Sequence, residues 1–156
     1  MKRIAKFYRV SEHIFGREGY EHIRLPERAT SGSAGYDFFA PYDFTLEAGC
    51  EIVISTGVRV RMDSDWVLVL LPRSGQGFKY GVRLANTAGV IDSDYFGAEN
   101  EGHIMIKLIG GSADLTVKRG SAFAQGIFLP YGITEDDCAA RERFGGFGST
   151  DKEENK

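Results

Sequence analysis

The chain has 156 residues, of which 42% are hydrophobic and 26% are charged, and its formal net charge is -3. This length and composition are those of one globular domain that can bury a core without disulfide bonds. The slight acidity disfavours a general nucleic-acid binder, because affinity for the phosphate backbone requires a basic face.

Long apolar segments are missing from the sequence. The longest apolar run, residues 66–71, is far too short to span a bilayer, and the basic start is not followed by the apolar stretch of a signal peptide. Cys50 and Cys138 form no C-x-x-C pair and no zinc spacing, which predicts unpaired thiols in a reducing compartment. We therefore expect a cytoplasmic protein, or one within an infected host cell if the chain is viral, with no membrane partner.

Short apolar segments separated by turns begin near the N-terminus. Residues 11–16 are a helical candidate, although they are too short to be stable alone. Residues 51–62 alternate in character, with apolar side chains at nearly every second position from Ile52 to Met62. A period of two predicts one half-buried strand over this range.

The same pattern continues through the second half of the chain. Residues 66–71 are uniformly apolar and precede a proline, as in a strand that is buried on both faces. Residues 103–108, 114–118 and 122–131 are further strand candidates, and about one turn of helix is expected after Ser74. These elements predict an all-β fold, a distorted jelly-roll-like β-barrel or sandwich.

The C-terminal end differs in composition from the rest. Residues 141–156 read RERFGGFGSTDKEENK, which offers too little apolar surface to fold alone. A frayed terminus has such a composition, but two phenylalanines among glycines and arginines favour an arm that orders over a ligand. We therefore expect a core at residues 1–140 and a flexible C-terminal arm at residues 141–156.

Several common site motifs are not found. The sequence contains no P-loop, no dinucleotide fingerprint and no zinc-deaminase signature. The segment that starts at Asp92 begins like a calcium loop, but Phe96 and His103 stand where oxygen ligands are required. His13 and His22 likewise lack metal-ligand or triad spacing.

Three positions have chemistry that suits a site. Residues 86–97, NTAGVIDSDYFG, form a short non-helical stretch in which Asp92 could act as a base, or could equally be a turn-forming aspartate. Arg73 and Ser74 follow an apolar strand and can face an anion, as an exposed turn arginine also would. Gln125 is an amide within an apolar strand, where most amides are satisfied core groups.

Five segments resemble, in order and spacing, those of the trimeric deoxyuridine triphosphatase (dUTPase) family, the deoxyuridine 5′-triphosphate nucleotidohydrolases. They are GSAGYD at 32–37, PRSG at 72–75, NTAGVIDSDYFG at 86–97, AQ at 124–125 and GGFGST at 145–150. The resemblance implies a β-clip fold and the hydrolysis of dUTP to dUMP and pyrophosphate. That reaction keeps uracil out of DNA and supplies dUMP for thymidylate synthesis.

The resemblance implies a role for each matching residue in the core. Asp92 would activate the water that attacks the α-phosphorus. Tyr95 would pack under the deoxyribose and leave no space for a 2′-hydroxyl, while Asp94 is assigned to turn structure. The remaining residues would contact the substrate: Arg73, Ser74, Gly75 and Gln125 at the phosphates, and Asn86, Gly89, Val90 and Ile91 at the uracil.

The resemblance also implies a cofactor and an assembly. Mg²⁺ would be held by substrate phosphates and waters without a direct protein ligand, and Asp37 would either face that water shell or order its strand. The family forms homotrimers with active sites shared between subunits. In the arm, Phe147 would stack over uracil while Gly148, Ser149, Thr150 and an arginine close on the phosphates.

Three features depart from the family pattern. Residues 98–103 form a longer loop than the turn of many members, which we expect to change contacts at the rim. In the family an arginine usually stands five residues before the stacking phenylalanine, and here that position is Glu142, between Arg141 and Arg143. We assign the phosphate contact to Arg143. Asp151 replaces the usual glycine after the Ser-Thr pair.

Two other functions are compatible with parts of this pattern. A deoxycytidine triphosphate deaminase has the same fold, but its site resembles a glutamate-based one, whereas this sequence has Asp92 and the Phe147 arm. A regulatory protein that uses the nucleotide as a switch would keep the binding site. Turnover separates these alternatives from a dUTPase.

Overall fold

The computed structural model of the protein describes residues 2–140. Within these residues the chain is built from short strands. The strands are β1 (Ala5–Arg9), β2 (Glu27–Arg28), β3 (Tyr36–Phe39), β4 (Phe44–Leu46), β5 (Glu51–Ser55), β6 (Val58–Met62), β7 (Trp66–Pro72), β8 (Arg83–Leu84), β9 (Gly89–Ile91), β10 (Met105–Ile109), β11 (Leu115–Val117) and β12 (Ala122–Pro130). The helices are α1 (Glu12–Phe15), α2 (Ser74–Tyr80) and two 3-10 helices, Tyr20–His22 and Ser93–Gly97.

The strands pair antiparallel in four sheets. The largest has the order β2-β3-β12-β7-β9, and the smaller ones are β5-β10-β8, β1-β6 and β11-β4. Neighbours in these sheets are often far apart in sequence, as where β12 lies between β3 and β7. The prediction of an all-β fold is confirmed, in the form of sheets packed around a shared core.

The core forms from strand residues that alternate inward. Phe38, Leu68 and Phe123 are fully buried where the large sheet faces the others. Ile106 and Leu108 are buried on β10, as the alternation of residues 103–108 predicts. Burial of such side chains contributes about 1.5–3 kcal/mol each, which makes this core the main source of stability.

The prediction of one strand over residues 51–62 is wrong. β5 pairs with β10 while β6 pairs with β1, so the two halves belong to different sheets. The chain turns at Gly57, whose φ is +70°, a conformation that L side chains avoid. A Cβ at Gly57 would also lie 2.4 Å from Ile23 Cδ1. The alternation continued across the break, and therefore period alone could not reveal it.

The uniformly apolar strand β7 is buried on one face only. Leu68 and Leu70 are buried, whereas Val67, Val69 and Leu71 are partly exposed in the isolated chain. The prediction that β7 is buried on both faces is therefore wrong for the isolated chain. The alternate face carries apolar side chains that a neighbouring molecule could cover.

Both helical predictions are confirmed. α1 starts after Ser11, whose Oγ accepts a hydrogen bond of 3.4 Å from the Ile14 N–H, an N-cap that stabilises the first turn. α2 starts after Arg73, ends at Tyr80 and is capped by Gly81, which has φ +70°. None of the helices in residues 2–140 has the length and hydropathy needed to cross a bilayer.

Candidate active site

Three of the five motif segments meet at one cleft of about 700 Å³. β12 is the reason, because it pairs with β3 on one side and β7 on the other. Gln125 lies opposite Asp37 on β3 and Leu71 on β7. The cleft lining consists of Ala29, Ser33, Ala34, Gly35, Asp37, Arg73, Ser74, Gly75, Gln76, Lys79, Tyr80 and Gln125. Sheet pairing thus gathers segments that are up to 90 residues apart in sequence, from Gly35 to Gln125.

Arg73 is oriented by two groups of the cleft. Its Nε lies 3.1 Å from Asp37 Oδ1, and its Nη1 donates to the Ala122 carbonyl oxygen at 3.4 Å. The Arg73 side chain remains 42% exposed, while the Asp37 side chain is 19% exposed. A guanidinium held in this way keeps donors for an anion, since arginine carries five N–H groups.

The sequence left two roles open for Asp37, which were contact with the water shell of a magnesium ion and ordering of its strand. The carboxylate forms an ion pair with Arg73, and Asp37 itself lies on β3 opposite Gln125. Both placements are compatible with a residue that positions a cation beside an anionic ligand.

Gln125 is both a strand amide and a lining residue of the cleft. Its Nε2 donates to the Pro72 carbonyl oxygen at 3.0 Å. Its Oε1 lies where Gly35 approaches, because a Cβ on Gly35 would be 2.9 Å from that oxygen. The amide group is thus hydrogen-bonded to the last residue of β7 and packed closely against Gly35, which precedes β3.

Sequence reasoning missed Lys79 and Gln76, which also line this cleft. Lys79 is exposed and adds a second cation on the same side as Gly75. The signal was present, since residues four apart lie on one helical face. Gln76 donates from Nε2 to the Ala122 carbonyl at 3.3 Å, which places it beside Arg73.

Asn86 and Gly89 line a separate cleft of about 320 Å³. The other lining residues are Leu70, Leu84, Ala85, Met105, Ile106 and Lys107. Its backbone is tightly turned, because Thr87 has φ +64° and the Ala88 N–H donates to the Asn86 carbonyl at 2.6 Å. Gly89 pairs with Leu70, where a Cβ would come within 3.1 Å of the leucine side chain.

Val90, Ile91 and Asp92 follow directly along the chain. Val90 is 63% exposed. Asp92 directly follows β9 and is the N-cap residue of the 3-10 helix Ser93–Gly97, with its carbonyl accepting from the Tyr95 N–H at 3.2 Å. Asp94 lies in the first turn of that helix.

Tyr95 is buried, with 6% of its surface exposed. Its hydroxyl donates to the His103 carbonyl at 2.9 Å and accepts from Asn100 Nδ2 at 2.8 Å. His103 itself accepts the Gly57 N–H at Nε2, 2.9 Å away. Burial lowers the pKa of His103, and the nearby Glu101 carboxylate opposes that shift.

The two clefts share no lining residue. One contains Arg73 and Lys79, and the other contains the start of the hairpin together with Lys107. The predicted arm residues Arg143, Phe147, Gly148, Ser149 and Thr150, together with Arg141, lie outside the described residues. Within residues 2–140 no cluster of three metal-binding side chains is present.

This combination of an all-β fold, a cationic cleft and a hairpin cleft defines a β protein with a divided candidate site for an anionic ligand. The chain belongs to the dUTPase family, whose family model matches residues 21–151. The family resemblance predicted from the five segments is thereby confirmed.

Relatives with curated names agree with this assignment. The deoxyuridine 5′-triphosphate nucleotidohydrolase of Lactococcus lactis subsp. lactis (strain IL1403) is 36% identical over 132 residues, which cover 82% of this chain and 88% of that protein. The protein of the same name from Blochmanniella pennsylvanica (strain BPEN) is 42% identical over 125 residues, covering 78% and 80%.

Solved structures are similar in fold. The dUTPase from Streptococcus mutans has a TM-score of 0.68 and 30% identity, covering 85% of this chain and 99% of its own. A mutant dUTPase from phage phi11 of S. aureus, described with a structural Mg(II) ion, has a TM-score of 0.67 and 21% identity, covering 89% and 98%. The second similarity concerns the fold alone.

Proposed function

We propose that this protein is a dUTP diphosphatase, which hydrolyses dUTP to dUMP and pyrophosphate. The observation that carries the proposal is the cleft in which three motif segments of the family meet around Arg73. Arg73 and Lys79 supply positive charge for a triphosphate, and Ser74, Gly75 and Gln125 supply hydrogen-bonding groups. The reaction keeps uracil out of DNA and supplies dUMP for thymidylate synthesis.

The nucleoside would occupy the hairpin cleft. Asn86 and the backbone from Gly89 to Ile91 would pair with the polar edge of uracil, and the narrow space beside Gly89 would disfavour a 5-methyl group. The Tyr95 ring would lie under the deoxyribose. A buried and hydrogen-bonded tyrosine suits that role, because it offers a surface that does not move away from a 2′-hydroxyl.

Asp92 would act as the general base. Its carboxylate takes a proton from a water, whose oxygen then forms a bond to the α-phosphorus. The bond from that phosphorus to the oxygen bridging to the β-phosphate breaks, and pyrophosphate leaves with the electron pair. The position of Asp92 between β9 and the 3-10 helix supports the assignment, because two regular elements hold its backbone in place.

The residues of the cleft fit a magnesium ion that arrives with the substrate. Mg²⁺ usually keeps several waters and binds through substrate phosphates, so it does not need a complete protein cage. Asp37 is the carboxylate beside Arg73 and would face the water shell of the ion. When bound, Mg²⁺ would neutralise charge that develops on the phosphates.

The two clefts would be combined in a homotrimer. The separation of the cationic cleft from the hairpin cleft supports sites shared between subunits, and the apolar outer face of β7 supports a buried interface. We assign residues 1–140 to the core and residues 141–156 to an arm that closes over the site. Phe147 would stack on uracil, and Arg143 together with Gly148, Ser149 and Thr150 would contact phosphates.

The proposal is tested by incubation of the purified protein with Mg²⁺ and either dUTP or dCTP. We expect pyrophosphate and dUMP from dUTP, and no ammonia from either nucleotide. Ammonia release from dCTP without pyrophosphate would identify a deaminase instead. Tight binding of dUTP without turnover would identify a regulatory protein that uses the nucleotide as a switch.

A further inference from the structure

The loop at residues 98–103 is tightly folded. The Glu101 N–H donates to the Ala98 carbonyl at 2.8 Å, and the His103 N–H donates to the Asn100 carbonyl at 3.1 Å. Glu101 and Gly102 both have positive φ, 59° and 70°. A loop that holds two consecutive residues in this conformation is strongly determined by its contacts.

Asn100 joins this loop to the tyrosine of the hairpin segment. Its Nδ2 donates to the Tyr95 hydroxyl at 2.8 Å, while its Oδ1 accepts the Gly102 N–H at 3.1 Å. The Tyr95 hydroxyl in turn donates to the His103 carbonyl at 2.9 Å. The hydroxyl is thus bonded on both sides, which fixes the ring along its long axis.

The loop is packed directly against the backbone of Tyr95. A Cβ at Gly102 would lie 2.5 Å from the Tyr95 carbonyl oxygen and 2.9 Å from the Phe96 Cα. Glycine is therefore required at this position for the loop to approach so closely.

Glu101 and Arg59 connect the loop to the rest of the fold. The Glu101 carboxylate accepts the Ser11 N–H at 2.9 Å and lies 3.3 Å from Arg59 Nη1. Arg59 Nη2 donates to the Phe96 carbonyl at 2.9 Å, and its guanidinium stacks 3.6 Å from the centre of the Phe96 ring. The segment around Tyr95 is therefore held from β6 and from the start of α1.

We propose that Asn100 is a positioning residue that sets the depth of the Tyr95 ring and thereby the discrimination between deoxyribose and ribose. The inference rests on the proposed function, in which Tyr95 lies under the sugar. Rejection of one hydroxyl requires a rigid wall, since a ring that can retreat by about 1 Å would admit the extra oxygen. The loop at residues 98–103 supplies that rigidity.

The test measures kcat/KM for dUTP and for UTP with the full-length protein. We expect Asn100→Ala and Asn100→Asp to lower the dUTP-to-UTP ratio by about tenfold, the loss of one well-placed hydrogen bond. Asn100→Asp retains an acceptor for the Gly102 N–H but cannot donate to the Tyr95 hydroxyl, which could bond the new carboxylate only by giving up its bond to the His103 carbonyl. This variant therefore keeps the loop contact while it breaks the two-sided bonding of the ring. Glu99→Ala, at an exposed position of the same loop, is the matched control and should keep the wild-type ratio.

A double-mutant cycle with Tyr95→Phe strengthens the test. Because Tyr95→Phe already removes the bonded hydroxyl, adding Asn100→Ala should change the ratio little further. An unchanged ratio in both Asn100 variants, at a temperature where they are folded by circular dichroism, would overturn the inference and leave the loop a purely structural role.

Failure of the proposed function has a different outcome. If the wild-type protein released no pyrophosphate from dUTP, the same variants would be compared by calorimetric binding of dUTP and UTP. A wild-type preference for dUTP that Asn100→Ala reduces would still support the inference. Equal binding of the two nucleotides by the wild type would overturn it.

Discussion

Asp92 is placed at the junction of β9 and the 3-10 helix Ser93–Gly97. We predict that Asp92→Asn preserves dUTP affinity and lowers turnover by about 10²–10⁴-fold, because the amide keeps the shape of the side chain but cannot take a proton. Single-turnover kinetics with a parallel binding assay would measure both quantities. Asp94→Asn, at an exposed position of the same helix, is the control and should turn over dUTP close to the wild-type rate. Near-normal turnover in Asp92→Asn would remove Asp92 from the mechanism.

His103 gives the fold a pH dependence. Its pKa lies below the ordinary value of 6.5 because burial disfavours the charged ring. The unfolded chain therefore binds a proton at a higher pH than the folded chain, so this residue contributes stability above about pH 6.5 that is lost as the pH falls through the folded pKa. Glu101 is the charged group that opposes this shift.

We predict that His103→Gln weakens the loss of stability between pH 7 and pH 5. A glutamine oxygen can accept the Gly57 N–H as His103 Nε2 does, but it does not titrate. One proton changes the free energy of unfolding by at most about 1.4 kcal/mol per pH unit, which urea denaturation resolves. Between pH 7 and pH 5 the free energy of unfolding should fall less in the variant than in the wild type. Parallel curves would show that His103 is not the group responsible.

At the scale of elements, the C-terminal arm is the segment whose role is most easily separated from folding. Among residues 2–140 the last paired strand, β12, ends at Pro130, so the sheets of the described core are complete before the arm begins. We predict that truncation after Arg141 leaves the thermal unfolding midpoint nearly unchanged and reduces dUTP turnover severely, as expected if residues 141–156 serve the substrate, as proposed above, and contribute little to the core. Differential scanning calorimetry and pyrophosphate release would measure the two effects.

Two arm variants refine this prediction. Phe147→Ala should reproduce most of the loss of activity, whereas Phe144→Ala provides a control with the same change in apolar surface. An unfolded truncated chain would instead show that the arm is part of the structure.

At the scale of the whole molecule, the proposed division of the site between two clefts predicts complementation between chains. Arg73→Ala and Asp92→Asn should each be inactive as homotrimers. After co-refolding in equal amounts, about a quarter of the sites would combine an intact Asp92 with an intact Arg73 from another chain. Recovered pyrophosphate release, with a trimer mass from light scattering, would support shared sites. A monomeric mass, or no recovery in mixed trimers, would contradict them.

The sequence by itself determined the fold class, the family and the positions of β7, β10, β11 and β12, whereas it predicted no strand at β1 to β4, β8 or β9. Alternation predicted the inward residues of β10, because strand side chains reverse face at every residue. The Pro-Arg-Ser-Gly motif at 72–75 predicted the helix start that follows β7, and five ordered motifs predicted the family. Alternation and single motifs are local in the sequence, and the family signal needs only that the motifs occur in the right order.

The tertiary structure decided what depends on distant partners. Residues 51–62 form two strands separated at Gly57, because β5 and β6 pair in different sheets. Lys79 lies in the same cleft as Arg73 and Gln125. The tertiary structure also showed that Asn100, in a loop with no recognised role, holds Tyr95 by its hydroxyl. No period or motif reports such contacts, since pairing between strands and side-chain hydrogen bonds arise only when separated segments meet in the folded chain.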